Sequence, residues 1–299
     1  VILWVLYARR VRGLARILLD AWFMLIGVSV LTTYQHHFID IPTGFALGWL
    51  AVWLWPLPED GAASPWHARR RVTDPARHRL AALYGAGALA CVGVAIAVGG
   101  WALWLGWPAA SLGLVALCYA SLGPAGFQKR RDGRLSLAAR WLLAPYLAGA
   151  WLNSRWWTRR HPAPVTVGDG VWVGRSPSAR DARAARFAGV VDLAAELPTA
   201  RGAWSVDAVP VLDLTAPTPS ALADAAHAIE RARARGPVLV CCALGFSRSA
   251  CAAAAWLLAT GRASSVDAAL ARVRAARAHT VLDDRHARAL RAFRMPSPP

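Results

Sequence analysis

Apolar residues crowd the first half of the chain in four stretches, roughly 17–34, 41–55, 80–99 and 101–122. A helix needs about 20 apolar residues to cross a bilayer, so the pattern predicts about four transmembrane helices. The second stretch is short and starts at Pro42. A further apolar stretch, 135–157, contains Arg140 and Pro145 and is basic on both flanks. It reads as an interfacial helix with Trp141, Trp151, Trp156 and Trp157 at headgroup level; a fifth span is the alternative.

From residue 165 the period changes. Residues 165–175, VTVGDGVWVGR, predict a β-hairpin turning at Asp169-Gly170. Short apolar runs at 188–193, 208–214 and 237–241 predict strands. Runs at 220–234, 250–260, 264–278 (with Ser265 as its cap) and 284–293 predict helices. Strands alternating with helices predict an α/β domain with a mostly parallel sheet flanked by helices. The expected organisation is a membrane segment at 1–56, further transmembrane helices with a basic loop at 57–122, a basic linker and interfacial helix at 123–161, and the α/β domain at 162–299.

Composition agrees. Hydrophobic residues make up 56% and charged residues 17%, with mean hydropathy +0.34. This excludes a disordered chain and argues against an entirely soluble one. The net charge is +17, and Lys129 is the one lysine among 34 basic residues. Such basicity suits nucleic acid or an anionic membrane, and sixteen Trp beside long apolar runs favour the membrane. No nucleic-acid partner is expected. Residues 1–161 hold 17 basic and 6 acidic groups; residues 162–299 hold 17 and 11. Arg9, Arg10, Arg12 and Arg16, then the arginines at 69–79, then Lys129, Arg130, Arg131 and Arg134 flank the spans. The other connections carry no Lys or Arg, so both ends are expected to face the cytoplasm.

Five cysteines, Cys91, Cys118, Cys241, Cys242 and Cys251, show no metal or disulfide spacing and fit a reducing compartment. His67, His78, His161, His227, His279 and His286 are scattered and read as solvated surface.

The chemistry concentrates in VLVCCALGFSRS, residues 238–249: Cys242, five residues, Arg248, then Ser249, between a strand and a helix. A loop of this length turns successive N–H groups inward at a helix N-terminus, where they and the dipole bind a tetrahedral dianion. Ala243, Leu244, Gly245, Phe246 and Ser247 form that loop, with Gly245 at the turn. Arg248 would clamp phosphate oxygens. The same positive field would suit the Cys242 sulfur as nucleophile. Ser249 would donate to the leaving sulfur.

These residues resemble the dual-specificity, cysteine-based protein phosphatase family over about 165–293. The resemblance implies a phosphocysteine intermediate without metal or cofactor, and a phosphorylated lipid or phosphoprotein as substrate. It also implies an Asp about thirty residues upstream as general acid. Asp213 lies 29 residues before Cys242 in VPVLDLTAPTPSAL, which is similar to the matching loop of mitochondrial phosphatidylglycerophosphate phosphatases. Asp207 and Asp224 are its rivals. Cys241 stands where this family usually has His.

In the first half, TTYQHHFID (32–40) places His36 and Asp40 one helical turn apart. This resembles the last motif of the type-2 phosphatidic acid phosphatase superfamily, which implies His36 as phosphate-accepting nucleophile and Asp40 as its partner. The family's upstream motifs are not among the 35 preceding residues, so 1–56 reads as a C-terminal remnant. The combination resembles a bacterial arrangement of inner-membrane phosphatases. The expected function is a multi-pass inner-membrane phosphatase with its C-terminal domain cytoplasmic, contacting membrane lipid. The alternatives are a membrane-anchored phosphate-binding module without turnover, and a lipid phosphatase or phosphotransferase acting through His36.

Overall fold

The computed structural model describes residues 1–33, 37, 40–57, 61, 64–184 and 187–293. The apolar runs fold as helices: α1 (Ile2–Ala8), α2 (Leu14–Thr32), α3 (Asp40–Leu54), α4 (Pro75–Val98) and α5 (Gly106–Leu117). Asp74 caps α4 by accepting from Ala76 N at 2.9 Å, with Pro75 at the first position, where a missing N–H costs nothing. Gly99 and Gly100 both take positive φ, 65° and 53°, and reverse the chain after α4. A 3₁₀ stretch, α5, a π turn (Cys118–Leu122) and another 3₁₀ turn then run almost continuously.

Among the described residues, three helical stretches are long and apolar enough to cross a membrane: Leu14–Thr32, Pro75–Val98 and Gly100–Phe127, of 19, 24 and 28 residues. Of the about four expected, α3 is not among them. The 15-residue α3 rises roughly 22 Å, short of a hydrocarbon core of about 30 Å. Part of its surface packs against protein. Trp49, Val52 and Trp53 are buried, Trp53 Nε1 donates to Gly126 O at 2.9 Å, and Gln128 Nε2 donates to Trp53 O at 2.7 Å.

Long-range contacts bring the basic stretches of the first half to one end of these helices. Trp4 meets Trp49 edge-on at 6.3 Å and donates to Asp20, and Arg16 bonds Ala8 O. Arg70 N donates to Ser121 O at 2.9 Å, and Arg77 donates to the carbonyls of Cys118 and Tyr119, both at 3.1 Å. The stretch 135–157 is two helices, α6 (Leu137–Leu142) and α7 (Ala144–Trp157), parted at Leu143 where Pro145 opens the second. Its four tryptophans are exposed, whereas Ser136 and Ser154 are buried.

The second part has a five-stranded sheet ordered β1-β2-β5-β3-β4, from β1 (Val165–Gly168), β2 (Val171–Arg175), β3 (Gly189–Ala194), β4 (Ser205–Val211) and β5 (Val238–Cys242). The β1–β2 pair is antiparallel and the rest are parallel, so the sheet is mixed. The hairpin turns at Asp169 and Gly170, both at positive φ as a primed turn demands. Helices α9 (Pro219–Arg233), α10 (Arg248–Ala259), α11 (Val266–Ala276) and α12 (Asp284–Ala292) share the main core, in which α10 is buried from Arg248 to Leu257. Ser265 caps α11 by accepting from Ala268 N at 3.1 Å. A short helix, α8 (Ala179–Ala184), follows β2. β4 is an edge strand, which tolerates Pro210. It ends at Val211, leaving Asp213 on a loop. A turn at residues 129–135, closed by the Lys129–Leu135 bridge, lies against that edge through Ala208 N to Arg131 O at 3.0 Å.

Candidate active site

β5 delivers Cys242 to its C-terminal end, and α10 begins at Arg248, so residues 243–247 form the loop between them. Gly245 takes φ +76°, and a Cβ there would collide with the Gly174 backbone. The position therefore admits only glycine without a shift of the main chain. Gly245 N donates to Cys242 Sγ at 3.2 Å, and Ser249 Oγ lies 3.3 Å from the same sulfur. Neighbouring chain fixes the loop: Ser176 N donates to Cys242 O at 2.7 Å, Ser154 Oγ to Ala243 O at 2.5 Å, and Val281 N to Phe246 O at 2.8 Å. Leu244 and Phe246 are half-buried at its rim.

Arg248 is buried and fully engaged on its outer nitrogens. Nη1 and Nη2 donate to Glu196 Oε2 and Oε1 at 2.8 and 2.6 Å, Nη1 also to Val211 O at 2.8 Å, and Nη2 also to Asp213 Oδ1 at 2.8 Å. Burial opposes the guanidinium charge, but Glu196 and Asp213 outweigh it and push its pKa well up. The two carboxylates differ in access: the Glu196 side chain is 2% exposed and that of Asp213 is 28%. Glu196 fixes the Arg248 guanidinium from inside, while the Asp213 carboxylate is reachable from solvent. An arriving oxyanion would compete with Asp213 for Nη2. Asp207 instead faces Arg231 at 3.4 Å, and Asp224 is exposed on α9, so neither rival meets Arg248.

Glu196 is not among the residues the sequence nominates. Its only signal is an acid inside the apolar run Leu193-Ala194-Ala195 and Leu197 after a strand. His286, read as surface, is buried. Its Nε2 lies 2.7 Å from Ser247 Oγ and its Nδ1 lies 2.7 Å from Asp283 Oδ1, so it braces the loop. Burial lowers its pKa against the opposing pull of Asp283, which keeps the ring neutral. His279 and His161 also meet, with ring centroids 4.0 Å apart, and Phe246 is edge-on to His279 at 6.5 Å. The buried guanidinium of Arg277 lies 5.0 Å over the Phe246 ring, so a cation reaches the rim from outside the loop.

Cys241 points to the opposite face of the sheet from Cys242, among Val190, Trp204 and Leu239. Burial, then Asp192, drives its thiol pKa well up, so it stays protonated. Asp192 sits beside it in a buried ion pair with Lys129 at 2.8 Å. Lys129 is thus inside the protein, apart from the charged groups of its neighbouring arginines, two of which pair with Asp132. His36 lies outside the described residues; Asp40 accepts from His37 N at 3.0 Å at the start of α3. Among the described residues no group of three His, Cys, Asp or Glu side chains is placed to hold a metal ion.

Residues 172–295 match the family described as dual specificity phosphatase, catalytic domain. A search of curated proteins finds no match. Among solved structures, the active form of Tk-PTP is 29% identical, with TM-score 0.40, covering 44% of this chain and 97% of that one. Human DUSP28 is 25% identical, with TM-score 0.39, covering 43% and 93%. PTPMT1 is 20% identical, with TM-score 0.39, covering 44% and 93%. The family match marks the C-terminal part as a dual-specificity phosphatase catalytic domain. The chain is a phosphatase.

Proposed function

We propose that the chain is a membrane-anchored phosphoric monoester hydrolase that uses Cys242 as nucleophile on a phospholipid headgroup monophosphate. The observation that carries the chemistry is the convergence on one sulfur: Gly245 N and Ser249 Oγ contact Cys242 Sγ, while Arg248 and Asp213 stand joined at 2.8 Å. In the first step the thiolate attacks phosphorus, the ester P–O bond breaks, and Asp213 gives its proton to the departing oxygen. Arg248 and the loop N–H groups hold the phosphoryl oxygens at the N-terminus of α10. In the second step water attacks the phosphocysteine, Asp213 takes its proton, and the S–P bond breaks. Ser249 donates to the leaving sulfur, and inorganic phosphate departs.

The lipid as substrate is supported by position. Asp213 is hydrogen-bonded to Tyr119, near the end of the longest apolar helical stretch. Exposed Trp141, Trp151, Trp156 and Trp157 and the arginines around them suit an anionic headgroup layer beside the domain. The test is phosphate release by the full chain reconstituted in liposomes with EDTA present. The panel holds phospholipid headgroup monophosphates, polyphosphorylated phosphoinositides, and phosphotyrosine and phosphothreonine peptides. The lipid monophosphates are expected to exceed the peptides in kcat/KM by about tenfold or more. Preference for peptides or polyphosphorylated lipids overturns the substrate class, and loss of all activity with EDTA overturns the cysteine chemistry.

From the three basic stretches we take an inner membrane with the phosphatase domain in the cytoplasm, a reading that requires the short α3 to return the chain to the side of Arg9–Arg16. A reporter fused after Pro299 is expected to read as cytoplasmic and one inserted after Gly100 as external. An external reading at Pro299 sinks this orientation.

A further inference from the structure

The helical part touches each loop that builds the phosphatase site. Ser154 of α7 donates to Ala243 O in the cysteine loop at 2.5 Å. Lys129 donates to Ala194 O at 2.6 Å and to Leu197 O at 2.7 Å, on either side of Glu196, which holds Arg248. Tyr119 OH donates to Asp213 O at 3.0 Å. The apolar packing is continuous too: Val115, Tyr119, Phe127 and Leu143 share one buried cluster with Ala195 and Leu212, the neighbours of Glu196 and Asp213.

The Asp213 loop needs an external hold. Leu214, directly after Asp213, sits at φ 56°, a left-handed conformation that is strained for a bulky L residue. Its side chain is exposed and contributes little packing to offset that strain. Inside the loop, Thr215 Oγ1 bonds Leu212 O at 2.8 Å. From outside, the hydroxyl of Tyr119 fixes the peptide between Asp213 and Leu214. The Tyr119 ring is itself fixed, stacked on Tyr84 at 5.4 Å and almost wholly buried.

We propose that Tyr119 is a positioning residue of the phosphatase reaction, which makes the apolar helical part a component of the catalytic site. It acts by holding the Asp213 peptide so that the carboxyl reaches the leaving oxygen. The inference rests on the reading of Asp213 as general acid. A general acid matters most when the leaving group is poor, because a stable anion departs without a proton.

The test compares full-length Tyr119→Phe and Asp213→Asn with the parent protein on phenyl phosphate, a poor leaving group, and p-nitrophenyl phosphate, a good one. Tyr119→Phe keeps the ring and its stacking and removes one hydroxyl. It is expected to lower kcat on phenyl phosphate by about tenfold more than on p-nitrophenyl phosphate, leaving inhibition by inorganic phosphate unchanged. Asp213→Asn is expected to show the same selectivity, more strongly. If Asp213→Asn is selective and Tyr119→Phe slows both substrates equally, or neither, Tyr119 has no positioning role. If Asp213→Asn shows no selectivity, the assignment of Asp213 fails, and the role of Tyr119 falls with it.

Discussion

Replacing Cys242 by serine is expected to reduce turnover by at least about a thousandfold while leaving oxyanion binding measurable. The two effects separate because different groups carry them. Binding relies on Arg248, the loop N–H groups and the start of α10, none of which the substitution removes. The sulfur supplies only the attacking electron pair, and a serine hydroxyl surrounded by these groups has no strong base to activate it. The nearest hydroxyl, Ser249 Oγ at 3.3 Å, is itself a weak donor. Steric strain does not explain a loss, since oxygen is smaller than sulfur and the loop is held independently through Ser154, Ser176 and Val281. Turnover by the full chain and affinity for tungstate by direct titration are the two measurements. Turnover surviving in Cys242→Ser would remove Cys242 as nucleophile. Loss of both turnover and tungstate binding would mean that the thiol holds the loop together.

Local signals in the sequence were sufficient for the elements nearest the chemistry. The Asp169-Gly170 turn, the β5–loop–α10 transition and the Ser265 cap depend on residues within a few positions of one another, and such patterns survive folding unchanged. What the sequence left out depends on distant partners. Glu196 meets Arg248 across 52 residues and His286 meets Ser247 across 39, and no spacing rule links either pair. Apolar character alone makes α3 equal to the three longer stretches, because it does not distinguish lipid from a protein core; α3 buries Trp53 against the end of the third long helix and Trp49 beside Trp4 and Trp141. The strand predicted at 208–214 lies at Ser205–Val211 in the structure, because pairing with β3 begins at Ser205, before the apolar run does. Lys129 was grouped with Arg130, Arg131 and Arg134, where sequence shows only charge. Its being the single lysine of the chain was the available hint, since a compact ammonium fits a closed pocket that a guanidinium fork does not.

That pocket sets the largest expected effect on stability. Lys129 and Asp192 have no exposed side-chain surface, and their ion pair is 2.8 Å long. The ammonium donates three bonds, to Asp192 Oδ2, Ala194 O and Leu197 O, which is its full complement. Asp192 also accepts from Ala194 N at 2.9 Å and from Thr199 Oγ1 at 2.6 Å. Lys129→Met removes the cation and leaves a carboxylate buried without a counter-charge, a change that costs about 3–5 kcal/mol. For a chain of this size that lowers the melting midpoint by roughly 10 °C. The penalty belongs mainly to the stranded charge, not to the lost attraction, because burying the pair already cost both groups their water. Lys129→Met with Asp192→Asn is therefore expected to recover at least half of the loss: the asparagine keeps an acceptor for Ala194 N and carries no charge. Melting of the detergent-solubilised protein, followed through its tryptophans, measures both variants. A single variant that melts within about 2 °C of the parent, or a double variant no more stable than the single, would show that Lys129 and Asp192 do not form a closed pair beneath the Glu196 loop.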